Sequence, residues 1–451
     1  MSDAAIDFYN EIVAATPDAS LREISGKFLS DLLAQKASYG ERPLSTFLRP
    51  KFITPEDLKK IESICLTLRD CVIKIKDAIA NDPTMLEQVG LSDGERRLCD
   101  IDPGFTRLSI TSRWDAFMTK DSLKFVELNA ESPAGIGYGD IMSDIYLGLP
   151  FMKKFLERYK LQPFATRTIL LRHLLETYRE WKGNRPNRTV PNLAIVDWRE
   201  VPTWNEFELL QEYFISQGVP TIVSDPRDLS YDGSSLRQGD FEIDLVYKRI
   251  LTNEFVERPD EVQPMVKAYE DHRVCMINSF RAKLVHKKSL FAIFTHEKNK
   301  HLFNAAEHKI ISQHIPWTRR VEKTKTKYKG KNIDLLDFIK KHKDDLVIKP
   351  NDEYGGTGVN LGWETPVDKW EKVIQSALDD FYVVQERVPI PREKFPYYDN
   401  GLKFTDLIVD LDPYVFGPEV GGVLTRLSAG ALANVTAGGG ATSTFVLTER
   451  Q

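Results

Sequence analysis

Two short β-rich segments that follow one another in the chain constrain the fold most strongly. The segments RLSITSRWDAFM and SLKFVELNA flank a polar turn at Thr119–Ser122, and this pattern predicts a β-hairpin. Arg113 and Asp115 are two residues apart, as are Glu127 and Asn129, so each pair lies on one side of its strand. If the strands pair through the turn, one guanidinium, two carboxylates and one amide meet on a single face.

Two interpretations of this polar face are open. Carboxylate and amide oxygens, completed by substrate phosphates, are the ligands that Mg²⁺ prefers. A solvent-facing hairpin with alternating charges shows the same pattern and is the more common case for a lone hairpin. The opposite faces hold Trp114, Val126 and Leu128, which indicates strands that are at least half buried. Buried carboxylates need a cation or another partner.

A glycine-bearing loop follows a second predicted strand. The segment VIKPNDEYGGTGV places Lys349 at the end of a buried strand and brings Gly355, Gly356 and Gly358 close behind it. Without a Cβ atom, glycine lets backbone amides approach an anion closely, and the lysine adds a positive charge. The segment therefore predicts a phosphate-binding loop, with an ordinary turn as the alternative.

A third segment, VVQERV, ends a predicted strand with Gln385, Glu386, Arg387 and Val388. The backbone groups of Arg387 and Val388 could contact the edge of an adenine while Glu386 orients nearby groups. An edge strand with surface charges is the alternative interpretation, and it is the more common one for such a segment alone.

The rest of the chain predicts an α/β protein of more than one lobe. A length of 451 residues is too great for a single compact core. Before residue 105 the pattern is helical, with one helix beginning at Thr54–Pro55. The strand LAIVDW, a helix at Glu206–Gln217 and the strand PTIV predict a β–α–β unit and a parallel sheet. We expect one further strand over Phe241–Ile250.

Composition excludes several classes of function. The net charge of −5 provides no basic field for nucleic acid, and no run of 18 apolar residues predicts a membrane span. The four cysteines have no paired spacing, and the first residues do not resemble a signal peptide, so we expect a cytoplasmic protein. A Rossmann-type oxidoreductase is disfavoured, because the strand before Asp197 is not followed by a G-x-G-x-x-G turn.

Together these segments resemble the circularly permuted ATP-grasp family, as in the synthetase domain of glutathionylspermidine synthase and related bacterial proteins. The resemblance rests on order: Arg-x-Asp and Glu-x-Asn come first, and NSFRAKLVHKKSLFAIF, the glycine loop and the hinge follow. It covers the chain from about residue 105 onwards. It implies a helical region over 1–104, a metal-binding part over 105–190, a β–α–β lobe over 191–279 and nucleotide-binding lobes over 280–451.

The resemblance also implies roles for individual residues. Lys288 and Lys349 would bind the phosphates of ATP with the glycine loop, and Arg113 would stabilise the transferring phosphoryl group or the tetrahedral intermediate. Residues that would hold Mg²⁺ are Asp115, Glu127 and Asn129. Those that would bind the nucleotide base are Gln385, Glu386, Arg387 and Val388.

The implied reaction is an ATP-dependent ligation of a carboxylate to an amine through an acylphosphate. Peptides, amino acids and polyamines are all open as substrates, and neither nucleic acid nor membrane partners are expected. Arg426 and Asn434 could line the acceptor site, although an anchoring role in a loop is the alternative. A nucleotide-binding protein that has lost ligase activity is the second hypothesis.

Overall fold

The structure is a computed structural model that describes residues 2–353, 355–430 and 439–450. Its α-helices are Ser2–Ala14, Asp18–Ala34, Pro55–Asn81, Pro83–Val89, Asp93–Asp100, Ile136–Leu147, Pro150–Arg158, Thr166–Lys182, Trp204–Ser216, Thr252–Glu257, Pro259–Glu270, Lys283–His286, Ser289–Thr295, Ala305–His314, Leu335–Lys341 and Val367–Asp379. Among the described residues, no helix combines the length and the apolar composition that crossing a lipid bilayer would require.

A central sheet of six strands joins distant parts of the chain. Its order is Gly440–Thr442, Glu419–Ser428, Leu402–Phe416, Thr111–Met118 and Leu123–Asn129, with Arg392–Tyr398 also paired to Leu402–Phe416. The last two strands of that order form the hairpin predicted from the sequence, closed by a 2.7 Å hydrogen bond from the Thr119 amide to the Ser122 carbonyl. The far strand Leu402–Phe416 pairs antiparallel with Thr111–Met118, so Tyr414 lies opposite Arg113.

A parallel sheet of four strands confirms the predicted β–α–β unit. Its strands are ordered Cys275–Ile277, Leu245–Lys248, Leu193–Val196 and Thr221–Ser224, and all their pairings are parallel. The helix Trp204–Ser216 connects the last two.

The single strand predicted over residues 241–250 is wrong. The chain forms two strands there, Phe241–Ile243 and Leu245–Lys248, which belong to different sheets. Asp244 separates them, and its carboxylate accepts hydrogen bonds from the Arg188 guanidinium at 3.1 Å and from the Asn192 amide at 2.9 Å. These polar contacts hold Asp244 between the two strands, so that one sheet ends before it and the other begins after it.

A third sheet, which we call the hinge sheet, carries the predicted nucleotide segments. It orders Thr318–Arg320, Tyr382–Glu386, Leu346–Pro350 and Asn360–Leu361, all antiparallel. Helix Val367–Asp379 packs Trp370, Ile374 and Ala377 into the core of this lobe, as expected from their spacing of three and four. The remaining strands are Ser38–Tyr39, Arg42–Pro43, Lys51–Ile53, Tyr159–Gln162, Ser230–Tyr231, Leu236–Gln238, Lys325–Tyr328, Lys331–Asp334 and Thr444–Glu449.

The long helix Pro55–Asn81 begins where the sequence predicts. Thr54 and Asp57 form a reciprocal capping box, and Pro55 occupies the first helical position. One face of the helix, which includes Ile61, Leu68 and Ile75, is fully buried and belongs to the core that also contains Trp114 of the central sheet. The helix therefore covers one side of the hairpin and leaves the polar side for other contacts.

The fully buried side chain of Asn278 joins the parallel sheet to the hairpin. Its Oδ1 accepts from the Ile110 amide at 2.7 Å, and its Nδ2 donates to the carbonyls of Thr111, Ala130 and Glu131 at 2.8–2.9 Å. One amide group thus satisfies buried backbone atoms at the start of the first hairpin strand and just past the end of the second.

We expect Asn278→Ala to lower the free energy of unfolding by about 2–4 kcal/mol, because several buried backbone groups lose their partner. Urea unfolding followed by circular dichroism would measure the change. Asn81→Ala is the matched control, since Asn81 is exposed at a helix end and contacts only the Asp77 carbonyl among described groups. Equal effects of both substitutions would contradict the role assigned to Asn278.

Candidate active site

A cavity of about 530 Å³ lies where the three sheets meet. Every site residue predicted from the sequence lines it except Lys288 and Gly358. These lining residues are Arg113, Asp115, Glu127, Asn129, Lys349, Gly355, Gly356, Gln385, Glu386, Arg387 and Val388. The structure thus brings together residues that are as far apart in the chain as Arg113 and Val388, and the volume is that of a small-molecule site.

Paired charges from the central sheet form one wall. Arg113 donates to both oxygens of Asp115, at 2.7 Å from Nε and 3.0 Å from Nη2, and Arg426 Nη2 donates to Asp115 Oδ2 at 2.8 Å. Burial alone would raise the pKa of Asp115, but the two guanidinium groups lower it to about 2. The sequence predicts Asp115 as a metal ligand, but both of its carboxylate oxygens already accept hydrogen bonds from guanidinium groups.

Two further carboxylates at this wall were missed in the sequence. Asp410 and Asp412 lie on the strand Leu402–Phe416 and both contact Arg426, with Asp412 Oδ2 at 2.8 Å from Arg426 Nε. Burial raises the pKa of both carboxyl groups, and Arg426 offsets this only in part. The alternation of Asp410 and Asp412 along their strand was the available signal. Arg426 itself lies in the strand Glu419–Ser428, so its interpretation as a loop anchor is wrong.

The two predicted lysines lie on either side of the hairpin strand Leu123–Asn129. Lys288 Nζ is 3.3 Å from Glu127 Oε1, and Lys349 Nζ donates to the Val126 carbonyl at 3.0 Å. Burial lowers the pKa of Lys349 to about 8, with Glu127 opposing that shift. Lys288 directly precedes the helix Ser289–Thr295, as predicted, and both ammonium groups are more than nine-tenths buried.

The first residues of the glycine loop are anchored by buried charges. Lys283 Nζ donates to Asp352 Oδ1 at 2.7 Å and to Glu131 Oε2 at 3.1 Å. Burial would raise the pKa of Asp352, but Lys283 and Lys287 hold it below its usual range. Beyond this anchor, Gly355 and Gly356 have φ values of +66° and +81°, a conformation that strongly favours glycine. Gly358 packs against Pro350 instead of lining the cavity.

The predicted hinge forms the opposite end of the cavity. The Glu386 carboxylate accepts from the Tyr328 hydroxyl at 2.7 Å, and the Gln385 side chain donates to the Thr318 hydroxyl at 3.1 Å. The Arg387 amide donates to the Asp345 carbonyl at 2.8 Å, so this amide does not face a ligand as the sequence hypothesis assumed. Within the described residues, the Arg387 carbonyl and the Val388 amide make no hydrogen bond.

Residues of the parallel sheet complete the cavity wall. Asp197, Arg249 and Glu254 line it, and burial raises the pKa of Asp197 to about 7. Asp197 and Arg249 directly follow the parallel strands Leu193–Val196 and Leu245–Lys248. Ligands commonly bind at the carboxyl ends of parallel strands, and this was the sequence signal for these residues.

The segment 132–135 links this wall to the central sheet. Arg249 Nη1 donates to the Pro133 carbonyl at 2.9 Å, and Arg113 Nη1 donates to the neighbouring Ala134 carbonyl at 3.1 Å. Gly135 has a φ of +101°, and a Cβ atom there would lie 2.5 Å from the Tyr414 hydroxyl. Because the backbone at Gly135 lies so close to Tyr414, the neighbouring carbonyls of Pro133 and Ala134 are held in place. The two guanidinium groups that donate to these carbonyls therefore keep fixed positions relative to each other.

No group of three or more His, Cys, Asp or Glu side chains is placed to hold a metal ion in the part of the chain that the structure describes. Glu127 and Asn129 nevertheless face the cavity together, opposite Asp115 and Arg113 in the hairpin register. Asn434, the other residue considered for the acceptor site, lies outside the described residues.

We expect Arg426→Met to destabilise the protein by roughly 3–5 kcal/mol at pH 8, because three buried carboxylates then share only Arg113. Their folded-state pKa values would rise above those of the unfolded chain, so the folded state would bind more protons. The loss should therefore be smaller at pH 5.5 than at pH 8. Urea midpoints at both pH values test this, with the exposed Arg199→Met as control; a loss independent of pH would contradict it.

Comparisons with known proteins agree with this architecture. No family profile and no curated protein matches the sequence. Among solved structures, the chain is similar to an apo-form glutathione synthetase-like effector from Globodera pallida, with 13% identity and a TM-score of 0.58 over 96% of this chain and 98% of that chain. A putative γ-glutamylcysteine synthetase from Methylobacillus flagellatus matches at 9% identity and a TM-score of 0.40, over 81% and 83% of the two chains. The protein therefore has a mixed α/β fold similar to that of the glutathione synthetase-like effector.

Proposed function

We propose that the protein is an ATP-dependent ligase that joins a carboxylate to an amine through an acylphosphate and releases ADP and phosphate. One observation carries the proposal: a single cavity is lined by the hinge, the glycine loop, a buried lysine and a pair of strand-borne arginines. Each part supplies a function that phosphoryl transfer to a carboxylate needs, namely base recognition, phosphate binding and charge neutralisation. The proposed topology is that of a circularly permuted ATP-grasp enzyme.

At the hinge end, the nucleotide base would lie against Val388. Its amide and the Arg387 carbonyl are a donor and an acceptor at adjacent positions, which matches the edge of an adenine. Lys349, which lines the cavity, would bind the phosphates, and the amides of the glycine loop would close over them. Lys288 contacts Glu127 outside the cavity lining and would have to leave that carboxylate to bind a phosphate as predicted. The Arg387 guanidinium lies over the Trp363 ring at 4.0 Å from its centroid, and both residues line the cavity.

At the central-sheet wall, Arg113 would face the charge that develops on the reacting carboxylate and phosphoryl oxygens. Its position is fixed by Asp115 and by the Ala134 carbonyl, so little reorganisation is needed during the reaction. The amine then displaces phosphate from the acylphosphate, forming the C–N bond and losing a proton. Asp410 lines the same cavity and lies in the same charge cluster.

Mg²⁺ fits this site through Glu127 and Asn129, because their oxygens face the cavity and nucleotide phosphates would supply further ligands. When bound, the ion neutralises phosphate charge. Asp115, predicted as a third ligand, holds the two arginines in this structure, and one oxygen would have to be released for it to contact a metal.

A second candidate is a nucleotide-binding protein without ligase activity. The observation in its favour is the engagement of both Asp115 oxygens by guanidinium groups. The two candidates differ in turnover, and they agree in nucleotide binding.

The four cysteines are buried free thiols, which supports the proposed cytoplasmic location.

We expect Mg-ATP to give ADP and phosphate only when suitable acids and amines are present, and Glu127→Ala to reduce this release by at least about 10²-fold. A coupled ADP assay with pooled carboxylates and amines measures both. The exposed Glu322→Ala is the control for a lost acidic charge. Normal turnover in Glu127→Ala would refute the metal assignment, and tight ATP binding with no turnover in any pool would favour the second candidate.

We also expect ATP affinity to fall with rising pH because of Lys349. Its pKa of about 8 means that the free lysine loses its charge above that pH, whereas bound phosphate favours the charged form. The dissociation constant should increase about tenfold between pH 7 and pH 9, measured by calorimetry. In Lys349→Arg the side chain stays charged, so the pH dependence of the dissociation constant for ATP should largely disappear. An unchanged pH dependence in this variant would show that another group titrates.

A further inference from the structure

The end of the cavity remote from the hinge has an apolar wall that the proposed reaction does not use. Six lining residues belong to one hydrophobic cluster or pack against it. They are Tyr39, Leu44, Tyr138, Met142, Leu424 and Ala441. We refer to these six residues as the apolar end. The cluster behind them includes residues of the first two helices of the chain, such as Tyr9 and Phe28.

The N-terminal segment 37–44 is held in place from two sides. The Gly40 amide donates to the Pro202 carbonyl at 2.9 Å, and the Asn205 side chain donates to the Ser38 hydroxyl at 2.8 Å. On the other side, the Ala441 amide donates to the Leu44 carbonyl at 2.7 Å. The segment therefore bridges the parallel-sheet lobe and the central sheet and closes the cavity between them.

No charged side chain lines the cavity from the described residues 37–44, 136–147 or 440–444. The polar groups there are neutral hydroxyls, and the Tyr138 hydroxyl is buried with no hydrogen-bond partner among the described atoms. This distinguishes the apolar end from the rest of the cavity, which contains all the Asp, Glu, Lys and Arg side chains that line it. Arg426 lies opposite Ala441 in the sheet, but it is already paired with Asp115, Asp410 and Asp412. A charged group placed at the apolar end would therefore lose its hydration without gaining a free ionic partner.

The apolar end is close to the reacting centre. A Cβ atom on Gly135 would lie 3.3 Å from Leu424, and the residue before Gly135 supplies the carbonyl that holds Arg113. A substrate whose carboxyl or amine lies beside Arg113 would therefore extend its remaining atoms towards Leu424 and Met142.

We propose that the apolar end selects a co-substrate that carries an uncharged apolar or aromatic group, of about the size of a leucine or phenylalanine side chain. The N-terminal region is then a specificity element, and polyamines and acidic amino acids are disfavoured as occupants. This inference rests on the proposed ligase function for its biological meaning, but the binding preference itself needs no turnover. Complementary apolar pockets discriminate by roughly 10- to 200-fold for small differences in the side chain.

The test compares amino acids that share the same carboxyl and amine and differ only in the side chain. Leucine and phenylalanine, with lysine and glutamate as charged counterparts, are titrated by calorimetry into the protein saturated with Mg²⁺ and a non-hydrolysable ATP analogue. The glycyl dipeptides of the same four residues form a second series. We expect leucine or phenylalanine compounds to bind at least tenfold more tightly than their charged counterparts. Equal binding, preferred binding of charged compounds, or no binding of any apolar compound would overturn the inference.

Two substitutions then test whether the apolar end is responsible for the tighter binding of apolar compounds. Leu44→Glu and Tyr39→Glu should each weaken binding of the apolar compounds at least tenfold and leave ATP binding within about twofold of the original value. Leu33→Glu is the control, because Leu33 is 45% exposed and does not line the cavity. Because Leu44 is buried, thermal unfolding is used to check that Leu44→Glu is folded. If it is not, the result for Tyr39→Glu decides, since Tyr39 is only half buried. Unchanged binding of apolar compounds in a folded variant would overturn the inference.

ADP release, measured in parallel mixtures that contain Mg-ATP in place of the analogue together with the pooled carboxylates and amines, separates this inference from the proposed function. Selective binding of apolar compounds without ADP release would leave the binding site established and the ligase proposal refuted. ADP release with charged and apolar compounds alike would support a ligase and overturn the selectivity.

Discussion

The antiparallel pairing of Thr111–Met118 with Leu402–Phe416 is the contact on which the rest of the structure depends. It joins strands almost three hundred residues apart and places Arg113 and Asp115 on the same sheet as Asp412 and Arg426. Without this pairing, Asp410 and Asp412 would have only Arg426 as a partner, and buried carboxylates in excess of their cations cost several kcal/mol per ion. The sheet and its ionic cluster therefore form together, and the cavity exists only where both are complete.

Positions on strands give the charged groups of this site little freedom. The guanidinium groups of Arg113 and Arg249 are fixed by adjacent carbonyls, those of Pro133 and Ala134, and the intervening backbone packs against Tyr414. Groups that are already oriented stabilise developing charge more effectively than groups that must first rearrange. The glycine loop differs: its start is anchored by Asp352, while Gly355 and Gly356 form a backbone that side chains would hinder. In the proposed reaction, the fixed wall would serve the chemistry and the glycine loop would cover the phosphates.

The sequence predicts those parts of the fold that repeat locally. The alternation around Arg113 and Glu127 indicated the hairpin and its shared polar face, because a period of two is visible within a few residues. Asp410 was not singled out, and Arg426 was considered only as an acceptor-site residue or a loop anchor, since their importance comes from pairing with a strand far away in the chain. The sequence did not indicate the apolar end either. Tyr39 lies in a short hairpin with two-residue strands, Leu44 directly follows it, and hydrogen bonds to Pro202 and Ala441 fix the position of both. Local pattern identifies elements, and long-range packing decides which side chains meet.

The separation of the two middle strands of the central sheet has a consequence for synthesis on the ribosome. At about 5–20 residues per second, roughly 15–60 s pass between the emergence of Thr111–Met118 and that of Leu402–Phe416. During that interval the hairpin exposes an unpaired edge with buried-type residues such as Trp114, and such edges recruit strands from other chains. The nascent protein therefore has a period of vulnerability to aggregation, and chaperone contacts at this edge would be most valuable before the carboxyl-terminal strands arrive.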